Sequence, residues 1–540
     1  MTAGDHGALT MSDFFRAHQA IGMTIPTYFI ESTAPNNVDD TVTIPPVLPP
    51  ELKPIDPDLA VRQIAAALAN APDPNLVVMV HGFNNPEPAV LQMYTAAARS
   101  IEADPAIRSR QGLVCIGYRW PSEKMGQPIH GTWDALPTLP TWILYLGAAL
   151  AVAPLLLFWL GFFSNPWVDH IVSITGLVLA GLVLAAALLR TIVYFRDTYR
   201  ATNYGAPDLV QIIRAIDGEI IKQRGQGGAT NDVQLSFIGH SMGGFVVTNT
   251  IRVLSDVFLK PVQNLSDYGA HAPAPPSPNI GNVFCLKRFV LASPDIPAEA
   301  LLSNRGNFLA SALARFDEAY LFSNEGDEVL RQIYTLANYF VFPTKSRNYG
   351  FRLGNVEILS SNFGLIDVSD ENFLRTLRIG NLTLQQIYDT LEAAKSSRHA
   401  NAEPARTQVL LPEVFTYFDC TDYVDLSNDG GPPRPLLTFA KWVKRTNPNA
   451  KMSWYSHLHL LFAYIAYRKP NVHGGYFEGL LSQQLIYRLA CLGYADAVTA
   501  YGSDAAMWQA CESKQIRVLP SPLLGAQRLA RSVPRTQRSA

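Results

Sequence analysis

The stretch that most constrains the fold is VQLSFIGHSMGGFVVTNTIRVL, residues 233–254. It opens on a short apolar run, 235–238, of the length and type of a buried strand. A sharp corner follows at Gly239-His240-Ser241-Met242-Gly243-Gly244. Beyond it, Val247, Ile251, Leu254 and Phe258 recur at helical spacing. Strand, G-x-S-x-G and helix in this order predict a nucleophile elbow. Such a corner holds Ser241 in a strained conformation with its hydroxyl clear of strand and helix. Gly239 and Gly243 stand where a Cβ has no room, and Gly244 lets the helix approach the sheet.

A second segment supports the first. Residues 76–80 read as a strand running into His81-Gly82-Phe83-Asn84-Asn85. A strand that ends in H-G supplies the usual oxyanion loop, so the expected oxyanion donors are the backbone N–H groups of Phe83 and Met242. His81 itself is expected to be structural, holding the loop by hydrogen bonds.

Further strands are expected at 23–30, 113–118, 284–292, 319–322 and 414–418, and helices at 59–68 and 206–220. Alternation of this kind predicts an α/β fold around a mostly parallel sheet, with functional groups at strand ends. A hydroxyl nucleophile needs a base, and the base needs an acid, in the chain order Ser, Asp or Glu, His. Asp327, in the turn after the strand at 319–322, is the first choice for the acid and Asp295 the second; Glu325, Asp419 and Asp422 stand behind them. Only His457, His459 and His473 follow the last strand. His457, in a loop before an apolar helix, is the first choice for the base, and His459 the alternative.

Two stretches set this chain apart. Residues 141–163 and 171–189 contain no charged side chain over 23 and 19 positions. Each is long enough to cross a hydrocarbon core of roughly 30 Å as a helix. Trp142, Tyr145, Trp159 and Trp167 lie near their ends, as an aromatic belt would. The spans predict a transmembrane hairpin inserted within the catalytic domain. Arg119, Lys124, Arg190, Arg196 and Arg200 flank it, whereas the short link carries Asp169 and no Lys or Arg, which places both arms in the cytoplasm. Small residues Gly147, Ala148, Gly176 and Gly181 leave self-association open.

Charge narrows the function classes. Lys+Arg of 43 against Asp+Glu of 45 gives a net charge of −2, which argues against a nucleic-acid partner. The five cysteines form no C-x-x-C pair, so neither a zinc ribbon nor a disulfide framework is indicated. The N-terminus has neither the basic start nor the apolar core of a cleaved signal peptide. Expected boundaries are 1–58 for an N-terminal extension with a proline-rich connector, 59–475 for the catalytic domain with a proline-rich loop at 261–280, and 476–540 for a helical region and basic tail.

The segments HGFNN at 81–85, YRWPS at 118–122, GHSMGG at 239–244, LASPDI at 291–296, SNEGDEVL at 323–330 and RLG at 352–354 resemble the alpha/beta-hydrolase superfamily. Within it, they look most like bacterial uncharacterised serine hydrolases grouped as a domain of unknown function (number 900). The resemblance spans roughly residues 76–354 plus a C-terminal histidine. It implies the alpha/beta-hydrolase fold, a Ser-Asp-His triad and no metal or organic cofactor. The chain departs from it by the apolar hairpin and by a long insertion between Asp422 and His457. The expectation is a membrane-anchored serine esterase, lipase-like, in a bacterial inner membrane, acting on an ester or lipid substrate. The rival is a non-catalytic membrane scaffold that keeps the hydrolase shape.

Overall fold

A computed structural model describes residues 10–34, 48–122, 194–225, 228, 230–255, 277–297, 312–313, 315–334, 352–355, 415–426, 432–438, 455–457, 459–460 and 471–521. Their centre is a sheet of 11 strands. Its principal strands are β1 (Phe15–Ala20), β2 (Thr27–Ser32), β3 (Leu52–Ile55), β4 (Asn75–Val80), β5 (Leu113–Arg119) and β6 (Val233–His240), followed by β7 (Phe284–Ala292), β8 (Glu318–Ser323), β9 (Thr416–Asp419) and β10 (Arg517–Leu519). Their order across the sheet is β10-β9-β8-β7-β6-β4-β5-β2-β1-β3, with a two-residue strand, Asn279–Ile280, beside β7. From β2 to β9 every neighbouring pair is parallel, and antiparallel pairing is confined to the margins and to the short strand Asn279–Ile280 beside β7.

The middle strands are buried on both faces and read as near-continuous apolar runs, as parallel strands covered by helices must. One face carries α1 (Pro57–Ala69), α3 (Ala206–Arg224) and α4 (Met242–Leu254), through Ile64, Leu68, Ile213, Ile216, Val247 and Ile251. The other carries α2 (Glu87–Ala103) and α5 (Leu480–Cys491), through Val90, Leu91, Tyr94, Leu485 and Leu489. Local signals set the helix ends. The Asp56 carboxylate accepts from the Leu59 N–H at 2.9 Å with Pro57 in the first turn, and Gly225 stops α3 at φ 73°.

The N-terminal segment corrects the expected extension. Instead of one strand at 23–30, three strands form there and join the main sheet through β2 and β5. β1 escapes pattern reading because its burial includes His18, whose Nδ1 lies 3.1 Å from the buried Glu31 carboxylate. β3 accommodates Pro54 because it is the outermost strand. At the other margin, α6 (Tyr494–Tyr501) and α7 (Asp504–Ser513) follow α5 as expected, and β10 then adds an antiparallel strand to β9.

The uncharged stretches at 141–163 and 171–189, the residues 261–276 and the basic tail at 528–540 lie outside the described residues. Among the described residues, no helix is long and apolar enough to cross a membrane. The two ends of the apolar insertion do meet. Ser122, just past β5, and Asp197, on the helix leading to α3, are joined by a 3.4 Å hydrogen bond.

Candidate active site

The strands β4 and β6 are neighbours, but the chain leaves β4 toward β5 and leaves β6 toward β7. Loops diverging in this way open a crevice at the carboxyl ends of the strands, where open parallel sheets bind ligands. Both expected segments border it.

Ser241 sits between β6 and α4 at φ 54°, ψ −126°, a region that non-glycine residues avoid without support. A Cβ on Gly239 would lie 2.7 Å from the Gly244 Cα, and one on Gly243 only 2.2 Å from the Val80 carbonyl oxygen. Both glycines are therefore demanded by close backbone approach. The Ser241 hydroxyl is buried and has no hydrogen-bond partner among the described residues.

The H-G loop expected to supply oxyanion donors lies against it. A Cβ on Gly82 would come within 2.7 Å of the Ser241 Cβ, so the backbone leading to the Phe83 amide adjoins the serine. The Met242 amide opens α4, and N–H groups in a first helical turn have no intrahelical partner. His81 is structural, as its sequence context suggests. Its Nδ1–H donates to the Gly82 carbonyl at 2.7 Å, and its ring stacks on Trp120 with centroids 5.3 Å apart. Burial drives its pKa down to about 3.

Asp327 occupies the turn after β8 and is fully buried. Its Oδ2 accepts from the Ser293 hydroxyl and from His473 Nδ1–H, the latter at 2.7 Å, while Oδ1 accepts from the Leu330 N–H at 3.1 Å. The carboxylate thus orients a histidine, and that histidine is His473.

The structure does not bring the expected base, His457, to Asp327. His457 is engaged elsewhere, with Nδ1 2.6 Å from Glu328 Oε1 and Nε2 2.5 Å from an Arg331 guanidinium nitrogen. A guanidinium only donates, so Nε2 is the acceptor and Nδ1 carries the proton toward Glu328. Neither nitrogen is left to relay a serine proton. Asp327 and Glu328, adjacent in the chain, each take one histidine. His459, two positions on from His457, is half-buried.

Asp295, the alternative acid, is paired with Arg352 at 3.1 Å. Burial raises its carboxyl above the usual range against the pull of that arginine. Its backbone N–H donates to the Ser241 carbonyl at 3.0 Å, so it braces the elbow. Asp419 holds its own turn through the Thr421 N–H at 3.0 Å and pairs with Arg517.

Three contributors escaped sequence reading, and His473, a candidate by its position past the last strand, was passed over for His457. His473 stands in the turn Asn471-Val472-His473-Gly474-Gly475, whose Asn and glycines are the available signal. Ser293, at φ 45°, presents its hydroxyl to Asp327. His240 donates from Nε2 to the His473 carbonyl at 3.1 Å, and Asn324 donates to the Val472 carbonyl at 2.8 Å. Together they fix the histidine loop over the Asp327 turn.

Burial also drives the His240 pKa down to about 3, with the neighbouring His473 adding to the shift. His81 and His240 therefore stay neutral in the folded chain while both take a proton near 6.5 when unfolded. Stability is fully present above pH 6.5 and falls as pH drops from there toward 3, by about 1.4 kcal/mol per pH unit for each histidine. The raised Asp295 carboxyl acts in the opposite sense, so a variant is needed to isolate the effect. Denaturant titrations between pH 7 and 4.5 should show His240→Gln losing about one proton's worth of that slope. An identical slope would mean that His240 titrates alike in both states.

Among the described residues, no group of three or more His, Cys, Asp or Glu side chains could hold a metal ion. Compared with known proteins, the chain matches no family model, no curated protein and no solved structure.

Proposed function

We propose that this chain is a serine hydrolase of the alpha/beta-hydrolase type that cleaves carboxylic esters through a Ser241 acyl-enzyme. The observation that carries the reading is the 2.7 Å hydrogen bond between His473 and Asp327 at the strand ends that also carry the strained Ser241. Three parts separated in the chain, each of the type a triad needs, converge on one crevice.

In this mechanism Ser241 Oγ attacks the ester carbonyl and its proton passes to His473 Nε2. Asp327 keeps the proton on Nδ1 and stabilises the imidazolium. The tetrahedral oxyanion is held by the Phe83 and Met242 N–H groups. The C–O bond to the alcohol then breaks, His473 returns the proton to the leaving oxygen, and the acyl group remains on Ser241. Water, activated by the same histidine, releases the acid and restores the serine. Substrate entry must close the Ser241–His473 hydrogen bond, which commonly tightens only in the complex.

The uncharged stretches at 141–163 and 171–189 support a membrane anchor, with the catalytic domain on the cytoplasmic side of a bacterial inner membrane. An active site whose insertion stems adjoin the oxyanion loop would work close to lipid, so acyl lipids or other amphiphilic esters are the proposed substrates. The test is fluorophosphonate labelling of the detergent-solubilised full chain, with the adduct mapped by mass spectrometry. An adduct on Ser241 supports the hydrolase. A folded protein that takes no label points to the scaffold reading, and a labelled enzyme that ignores dispersed lipid while cleaving short soluble esters would sink the lipid assignment.

A further inference from the structure

We propose that Asp197 is a positioning residue for the oxyanion loop, holding the HGFNN turn in the shape that aims the Phe83 amide at Ser241. The inference rests on the hydrolase reading above and adds to it a mechanical link between the apolar insertion and the catalytic site.

The loop turns through Asn84 at φ 61°, a left-handed conformation that needs support from its surroundings. That support comes from one carboxylate. The Asn84 N–H donates directly to Asp197. The next amide, Asn85 N–H, donates to Ser122 Oγ at 3.3 Å, and Ser122 Oγ donates to Asp197 Oδ2 at 3.4 Å. Two consecutive amides following Phe83 are thus tied to the same group, one directly and one through a hydroxyl. Asn85 closes the turn from within, its Nδ2 lying 3.1 Å from both the Gly82 and Phe83 carbonyl oxygens.

Asp197 is fully buried and keeps company with two arginines, Arg196 Nε at 3.0 Å and Arg200 at 3.4 Å. A buried ion pair is by itself weak evidence of a stabilising role. Here the carboxylate also accepts from the Asn84 N–H and from the Ser122 hydroxyl that holds the Asn85 N–H, so it reaches the loop beside Ser241, which is what a positioning role requires.

Three residues earlier, on the same face of the same helix, Tyr194 makes a second connection. Its ring meets Phe83 edge-on with centroids 6.5 Å apart, and its hydroxyl accepts from Arg352 at 2.9 Å. Arg352 holds Asp295 at 3.1 Å, and the Asp295 N–H donates to the Ser241 carbonyl at 3.0 Å. The helical segment at 194–200, which follows the stretch at 171–189 in the chain, therefore grips both the loop bearing Phe83 and the corner bearing Ser241 and Met242.

The experiment uses the full chain in detergent, with Asp197→Ala, Asp197→Asn and Ser122→Ala. Active sites are counted by fluorophosphonate titration, and kcat, KM and the inhibition constant of a trifluoromethyl ketone are measured per titrated site. The ketone is chosen because its tetrahedral adduct needs the oxyanion donors. Asp197→Ala should lower kcat about 10–100-fold with KM changed less than about 3-fold, and weaken the ketone by a similar factor. Asp197→Asn keeps an acceptor oxygen for the loop amides and should recover most of that loss. Ser122→Ala, which removes only the hydroxyl relay and serves if Asp197→Ala does not fold, should lower kcat about 3–10-fold. Unchanged kcat and ketone affinity per titrated site overturn the proposal, as does a loss confined to the number of titratable sites. A parent enzyme that takes no label overturns the hydrolase reading and this inference with it, whereas a labelled parent with indifferent variants overturns this inference alone.

Discussion

Ser241→Ala should abolish fluorophosphonate labelling and lower ester turnover by about 10⁴-fold or more, with no loss of stability. The first half follows from chemistry, since no other hydroxyl stands at the corner. The second half follows from the hydroxyl's surroundings. Ser241 Oγ is buried with no partner among the described residues, so its removal breaks no hydrogen bond and relieves a desolvated polar atom. Alanine keeps the Cβ, and the strained φ of 54° is unchanged. The variant's unfolding midpoint should equal or slightly exceed the parent's, the pattern of a site that holds function at the expense of stability. Labelling that persists in the alanine variant would show that another nucleophile is at work.

The two histidine variants should separate cleanly. His473→Ala removes the group that Asp327 orients and should lower kcat by about 10³-fold or more while leaving the fold intact. His457→Ala should do the reverse. It takes away the ring shared by Glu328 and Arg331, both close to it in the interior, and should cost about 1–3 kcal/mol of stability. Turnover per labelled site should stay near that of the parent. Denaturant unfolding and active-site titration on the same preparations measure both quantities. If His457→Ala lost turnover per site while His473→Ala kept it, the assignment of the base would have to be exchanged.

The contrast between these histidines shows where sequence reading runs out. The corner at Ser241 was legible because its steric demands fall on residues next to one another in the chain. Gly243 is required by a carbonyl oxygen 2.2 Å from where its Cβ would stand, and a strand, a G-x-S-x-G corner and a helix record that demand locally. The loop at 81–85 beside it was legible for the same reason, and so was the turn that carries Asp327, placed directly after a strand. The parallel strands were legible because burial on both faces leaves an apolar run.

The histidine that meets Asp327 was not, because nothing local distinguishes it from His457 or His459. His473 reaches Asp327 across 146 positions and His457 reaches Glu328 across 129. The preference for His457 rested on an apolar helix behind it, a feature of packing rather than of proton transfer. The same limit applied to Asp295, whose place at a strand end matched an acid until the structure paired it with Arg352 instead of a histidine.

What the sequence determined by itself was the strained serine corner, the H-G loop beside it, the parallel sheet and the two uncharged stretches, each encoded in contiguous residues by backbone sterics or by composition. What only the tertiary structure decided was which carboxylate meets which histidine, how the N-terminal strands extend the sheet, and that the two ends of the insertion meet at Ser122 and Asp197 beside the oxyanion loop. Those outcomes depend on which loops the sheet order brings side by side, a property of the packed chain that no stretch of it carries alone.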